Sequence, residues 1–484
     1  MTMTMPQKET ALSPAPGSLS SRHPFSAFLI GGMASGCGKT TLTLGIMAAL
    51  KFRGLVVQPF KCGPDFIDPS LHRMVTGHIS SNLDLRMCGP DFCRDIFQRR
   101  LAGHDPGSAG TVAVVEGVMG LFDGGAASSA ALALALDLPV ILVIDAGSAA
   151  ESAAAVLKGF EVYDPSVRIA GVIFNRVSSP YHRELIREAV RKSSEVTILG
   201  FFPRDIRFEI HDRHLGLYMG EESPLDTSQL KELATAIETH IDVDALLSLA
   251  SGPIATPVRR PVVSRPIARA GSLKLAVARD LPFCFYYEDN LDILQQAGFE
   301  LRLFSPLHDR RLPEDMDALY LGGGYPELHA EALSRNVAMR EAIAAWAARG
   351  GVIHAECGGF MYLCEELIDL EGKAHAMAGV FPATVRMRNR LSRLGYRQAR
   401  LTGDCLWGKE GEILHGHEFH FSVVEQMAPE VETIYQLEDG RKEGFRVNNT
   451  VGGYIHLHFG QTERNVAAFY ESIKQLRAGK GYSR

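Results

Sequence analysis

Paired cysteines, long apolar runs and a surplus of positive charge are all missing from this chain. Its eight cysteines are scattered over 484 residues with no CxxC spacing. That excludes a disulfide framework and a zinc cage, and points to a reducing compartment. No stretch approaches the roughly 18 uninterrupted apolar residues of a membrane helix. Residues 1–23 are rich in Ser, Thr and Pro and hold no apolar segment, so they read as a disordered tail and not as a signal peptide. A soluble cytoplasmic protein without a membrane partner is expected. Fifty basic against 56 acidic residues give a net charge of −6, which leaves no broad cationic face for a nucleic acid. Aromatics are few at 8%, but a hydrophobic share of 46% is ordinary for a folded chain. At about 100–200 residues per domain, the length implies two or three domains.

Short β-branched runs alternate with helical stretches from Phe25 to about Leu249. Phe28–Ile30, Leu55–Val57, Val112–Val115, Val140–Ile144 and Ile169–Phe174 read as buried parallel strands that feed loops. This alternation predicts a doubly wound α/β sheet. Residues 251–272, with four prolines and no sustained period, read as a linker. A second α/β series begins at Leu273–Val277 and continues through Leu319–Leu321 and Val352–His354. From about Gly379 to Phe459 the chain is richer in strands and loops.

Gly32-Met33-Ala34-Ser35-Gly36-Cys37-Gly38-Lys39-Thr40-Thr41 follows the first strand and opens a helix. Glycines let backbone N–H groups converge on an anion, Lys39 reaches the terminal phosphates, and the Thr40 hydroxyl suits Mg²⁺. ATP or another nucleoside triphosphate is the expected ligand. The spacing is shifted by one, since the usual first glycine position holds Met33. Two acidic loops belong to the same sheet edge: Lys61–Pro69, with Asp65 and Asp68, after the second strand, and Glu116–Gly124, with Asp123, after the third. Carboxylates there complete a magnesium shell with phosphate oxygens, and Glu116, at a strand end, is the first choice. Pro-Asp and Asp-Gly are also ordinary turn dipeptides. Arg213–Gly216 is a weaker candidate.

In the second half, Val352–Glu356 reads as a strand ending at Cys357, followed by Gly358 and Gly359. A nucleophile on such a tight strand-to-helix turn projects outward, and the helix N-terminus is expected to lower the thiol pKa. Backbone N–H groups at Gly358 and at the Gly322-Gly323-Gly324 turn are candidates for an oxyanion hole. His456 and His458, at strand spacing, are both available as the base. His417-Glu418-Phe419-His420 is one residue short of the HExxH zinc motif and reads as strand, with substrate binding as its candidate role. Cys88 and Cys93 read as structural.

Taken in order, these segments resemble the cobyrinate a,c-diamide synthase family from about Phe25 to Tyr470. The first half is similar to dethiobiotin-synthetase-type ATPases with the shifted phosphate loop. Ala278–Asn290, Gly322–Glu327 and Glu356–Gly359 are similar to the family's class I glutamine amidotransferase half. Ser81–Asp84, Arg213–Leu217, Gly416–Ser422 and Tyr454–Phe459 also match. The resemblance implies an ATP-dependent synthetase domain over 24–250 and a glutaminase domain over 273–484. ATP and L-glutamine are the implied co-substrates, Mg²⁺ the metal and a corrinoid the substrate, its a- and c-carboxylates amidated through acyl phosphates. Hydrogenobyrinate or nickel-sirohydrochlorin would serve the same motifs, and a non-catalytic nucleotide switch is the rival of another class. The resemblance makes Cys357 the nucleophile and favours His456 over His458, with no third acid evident. It gives Gly32, Ser35, Gly36, Cys37, Gly38, Lys39, Thr40 and Thr41 to ATP; Thr40, Glu116 and Asp65 to the metal; and Asp65, Asp68 and Asp123 to the synthetase site. It also implies a homodimer through the ATPase sheet.

Overall fold

The computed structural model describes residues 25–104, 110–204, 212–213, 216–217, 219–222, 225–251, 272–461 and 463–479. The tail before Phe25, nearly all of the linker, and His214 and Leu215 lie outside these described residues. Seven parallel strands build the first sheet: β1 (Phe25–Gly32), β2 (Val56–Cys62), β3 (Ser81–Leu83), β4 (Thr111–Glu116), β5 (Val140–Asp145), β6 (Ile169–Asn175) and β7 (Thr197–Phe201), in the order β3-β2-β4-β1-β5-β6-β7. All five runs read from the sequence are strands. The short polar β3 and the peripheral β7 are additional, so the Glu116 loop follows the fourth strand and not the third. The central strands are buried on both faces, which is why they read as continuous apolar runs.

Helices cover both faces. Lys39–Phe52, Ile67–Thr76, Thr227–His240 and Val243–Ala250 pack one core through Leu42, Leu71, Ile237 and Leu246. Gly89–Ala102, Ser129–Leu136, Glu151–Tyr163 and Pro180–Ser193 pack the other through Phe97, Leu132, Leu157 and Ile186. From β1 the chain winds first toward β2, β3 and β4, then toward β5, β6 and β7. The loop after β1 therefore lies at the switch point, where such sheets bind ligands beyond their carboxyl ends.

The second sheet has ten strands. Phe299–Phe304, Leu273–Ala278, Ala318–Leu321, Val352–Glu356 and Thr450–Gly453 pair in parallel. Antiparallel strands extend it to Arg393–Leu401, Ile413–His420 and Ile455–Leu457. A separate four-stranded sheet includes Phe381–Met387 and Ser422–Met427. All eight cysteines are free thiols. Among the described residues no helix is long and apolar enough to cross a membrane.

Edge strand β3 seats the first sheet against the second half. Ser81 Oγ donates to Asp289 Oδ1 at 3.0 Å, and Arg100 Nη2 donates to Asp289 at 2.9 Å and to Asp292 at 2.7 Å. Tyr396 donates its hydroxyl to Asp84 at 2.9 Å. Asp289 is fully buried; Arg100 is its counter-charge. Breaking a buried pair from one side costs about 3 kcal/mol or more. Arg100→Met should lower the unfolding free energy measured by denaturant titration by an amount of that order, and adding Asp289→Asn should recover part of it.

Candidate functional site

Beyond β1 the chain turns through Gly36 (φ 75°) and Gly38 (φ 94°) before the helix begins at Lys39. A side chain at Gly38 would strike Asn175, whose Nδ2 donates to the Cys37 carbonyl at 2.9 Å. The shifted glycine has its own reason. A Cβ at Gly32 would lie 2.6 Å from Cys37 Sγ and 2.8 Å from Lys39 Cδ, whereas Met33 still donates to Val143 O at 2.9 Å as an extension of the strand. The Cys37 thiol is buried, so this residue offers a phosphate only its backbone N–H. Lys39 Nζ donates to the Met119 carbonyl at 2.5 Å and to Ala34 O at 3.3 Å, at the mouth of the loop.

Glu116, at the end of β4, is fully buried. It accepts from Thr40 Oγ1 at 2.8 Å, is bonded to His72 Nε2 at 2.7 Å, and lies 3.4 Å from Lys61 Nζ. Lys61 also pairs with Asp68 and donates to Gly117 O at 3.2 Å. Burial alone would push the Glu116 carboxyl up; Lys61, then His72 and Thr40, hold it well below the usual carboxylate range. Burial, reinforced by Asp65 and Glu116, pushes Asp68 the other way. Burial also disfavours the Lys61 ammonium, but Asp68, Glu116 and Asp65 outweigh it and keep that lysine protonated. Asp65 Oδ1 accepts from the backbone of Ile67 at 2.8 Å and Asp68 at 3.1 Å, capping the helix that follows. Asp123 is exposed and accepts from Gly120 N at 3.0 Å, as a turn residue does. Arg213 and Gly216 belong to a small antiparallel pair of two-residue strands.

Thr40 and Glu116 offer hard oxygen donors side by side. No group of three or more His, Cys, Asp or Glu among the described residues could hold a metal. Mg²⁺ uses few protein ligands and completes its octahedron with phosphate oxygens and water, so this sparse donor set fits it.

In the second half, Cys357 ends its strand with φ 46° and ψ −105°, a backbone that L residues adopt only under constraint. Its N–H is fixed to Gly453 O at 2.6 Å and its sulfur lies 3.9 Å from Phe419 O. The Gly358 turn and the Gly322–Gly324 turn touch: a Cβ at Gly358 would be 3.0 Å from Gly324 N, and one at Gly323 would collide with the His456 ring. One expectation is overturned here. The helix after Cys357 runs only over Gly358–Leu363, and burial, followed by the charge of Glu327, pushes the thiol pKa up; the Gly358 N–H pulls the other way and loses. Burial also holds His456 down at about 4, against the raising effect of Glu356. Cysteine and histidine are therefore both neutral at rest.

His458 is engaged elsewhere. Its Nδ1 lies 3.3 Å from Cys88 Sγ and accepts from Gly460 N at 3.1 Å, and its ring packs on Tyr287 and Phe92. His417 and His420 lie on a strand, and Glu418 between them is bound by Arg397, Arg441 and His420.

Two family models match this chain: a CobQ/CobB/MinD/ParA nucleotide binding domain over residues 28–217 and a CobB/CobQ-like glutamine amidotransferase domain over residues 274–464. A cobyrinate a,c-diamide synthase of Salmonella typhimurium is 41% identical over 92% of this chain and 96% of its own. One of Listeria monocytogenes is 40% identical over 92% and 99%, and one of Streptococcus sanguinis 41% over 93% and 99%. The chain belongs to the cobyrinate a,c-diamide synthase family. As a member of that family it couples a nucleotide-binding domain to a glutamine amidotransferase domain and acts as a carbon–nitrogen ligase with glutamine as nitrogen donor.

The structure thus gathers Lys39, Thr40, Glu116, Asp65 and Asp68 around one sheet edge; in the second half, the Gly322–Gly324 turn packs against His456 on one side and against the Gly358 turn that follows Cys357 on the other. Sequence reasoning missed Lys61 as the shared counter-charge and His72 as the second partner of Glu116. A lysine at the end of an otherwise buried strand was the available signal for the first; His72, on a helix 44 residues from Glu116, gave none. Glu116→Gln should cost roughly a hundredfold or more in ATP-dependent amidation with either glutamine or ammonia, while glutamine hydrolysis persists. Separate assays of the two half-reactions check this.

Proposed function

We propose that the chain amidates the a- and c-carboxylates of cobyrinate, using ATP and glutamine at separate sites. The observation that carries the reading is a strained, buried Cys357 whose glycine turn meets the Gly322–Gly324 turn under His456, in the same chain as a phosphate loop and carboxylate network. At the N-terminal site, a substrate carboxylate oxygen attacks the γ-phosphorus of ATP and ADP leaves. Ammonia then attacks the acyl carbon and phosphate departs, leaving the amide. Lys39 and the loop N–H groups bind the phosphates, and Thr40 and Glu116, with Asp65 nearby, would hold Mg²⁺. The ion supplies charge neutralisation as phosphate negative charge shifts. Asp65, Asp68 and Asp123 complete the synthetase site.

At the glutaminase site, His456 takes the Cys357 proton as sulfur attacks the glutamine amide carbon. Ammonia leaves a thioester, and water releases glutamate. The N–H groups of Gly323, Gly324 and Gly358 are assigned to the oxyanion. A cavity of about 530 Å³ beside His420 and Tyr454 is lined by both cationic and anionic residues, among them Arg388, Arg390, Arg393, Glu418 and Glu443. That polarity suits the carboxylate and ammonium of free glutamine. The reaction belongs in the cytoplasm, where both co-substrates are made. A homodimer is part of the same proposal, supported by the exposed apolar Val162 and Tyr163 next to Phe122; light scattering tests it.

Cys357→Ala should abolish glutamine-dependent amidation and keep ammonia-dependent amidation. Loss of both would contradict the division into two sites. The pH dependence follows from His456. Its base form persists down to about pH 4, because burial depresses its pKa, so glutaminase kcat/KM should fall only as pH drops through about 4. A fall through 6.5, the ordinary imidazole value, would contradict the burial argument.

A further inference from the structure

Among the described residues no carboxylate hydrogen-bonds to His456. Its Nδ1 is buried without a hydrogen-bond partner. Glu356, the acid whose charge reaches it, is committed to Tyr320 Oη at 3.0 Å, His354 Nε2 at 3.1 Å and the Leu457 N–H at 3.1 Å. The ring is held by packing. Gly323 supplies the floor, where a side chain would collide, and Phe285 lies 6.3 Å from the ring centroid. The nearer aromatic contact is Phe66, at 4.9 Å and 44°. Phe66 belongs to the other half of the molecule. It stacks flat on Phe285 at 5.0 Å and 9°, and tilts on Tyr287 at 4.5 Å.

We infer that Phe66 is a positioning residue of the glutaminase, a wedge from the nucleotide-binding half that packs on His456 and fixes the ring's orientation in place of a third carboxylate. The inference rests on the assignment of Cys357 and His456 made above. Phe66 is itself anchored. Asp65, one residue before it, caps Ile67 and Asp68, and Asn82 Nδ2 donates to the carbonyls of Gly63 at 2.8 Å and Asp65 at 2.7 Å. Two residues later, Asp68 pairs with Lys61, which reaches Glu116. Consecutive residues of one loop therefore serve both sites. Any movement of the Asp65–Asp68 loop when the synthetase site fills is carried directly to the glutaminase base.

The test uses full-length Phe66→Ala, Phe66→Tyr and His456→Ala. Phe66→Ala should lower glutaminase kcat roughly tenfold or more with KM for glutamine within about twofold, because a misplaced base slows chemistry without weakening binding. Phe66→Tyr, which keeps the ring, should recover most of that loss. Water admitted to the ring should move the acid limb of the pH profile upward from about 4 in Phe66→Ala, since the charged and titratable groups facing His456 (Glu356, His417, His420) are unchanged. A glutaminase kcat within about twofold of the native value overturns the proposal. So does an equal fall in ammonia-dependent amidation, which marks a loosened fold. His456→Ala separates the two readings: if it keeps its glutaminase rate, the base assignment fails; if it is inactive beside a fully active Phe66→Ala, the positioning role alone fails.

Discussion

One lysine, buried at the end of a strand, carries the counter-charge for Asp68 and Glu116 and influences Asp65. Two buried carboxylates this close to one another compete for one counter-charge: Lys61 holds Glu116 down, while burial and its acidic neighbours still push Asp68 up. Lys61 is therefore the condition for an acidic site at this sheet edge. It fixes Glu116 against Thr40 at the mouth of the phosphate loop and Asp68 at the start of the helix Ile67–Thr76. The loop between these anchors is tied down by the Asp65 cap, the Asn82 amide and the Lys61–Asp68 pair, and a loop so tied can carry a load on its other side.

That load is Phe66. The two halves of the chain meet through the ion pair of Arg100 with Asp289, the Tyr396–Asp84 hydrogen bond and an aromatic cluster of Phe66, Phe285 and Tyr287. Glutaminase chemistry in a buried pocket faces a specific difficulty. Burial disfavours both the Cys357 thiolate and the His456 imidazolium, so in the proposed mechanism the proton passes directly from a neutral thiol to a neutral ring. Such a transfer depends on orientation more than on resting charge. A ring held by packing on several sides meets that need without a further acid.

The central strands were legible in the sequence because burial on both faces leaves unbroken β-branched runs, as in Val112–Val115 and Val140–Ile144. Ser81–Leu83 was not: three residues, two of them polar, carry no periodicity, and the strand exists because β2 and the second half enclose it. The turns that carry Cys357 and Lys39 were legible because glycines announce them. The thiol pKa was misjudged, since burial is a property of the whole fold, and the short helix behind Cys357 could not offset it. Lys61 and His72 meet Glu116, and Phe66 meets His456, across tens to hundreds of residues. No local pattern encodes those meetings.

The account divides one reaction between two sites and makes glutamine the source of nitrogen for both amides. The most direct test is mass spectrometry of cobyrinate incubated with the purified chain, ATP, Mg²⁺ and glutamine labelled with ¹⁵N in its amide. The account predicts two successive products, each with one carboxyl OH replaced by a labelled NH₂. An unchanged substrate, or amides that carry no label, would contradict it.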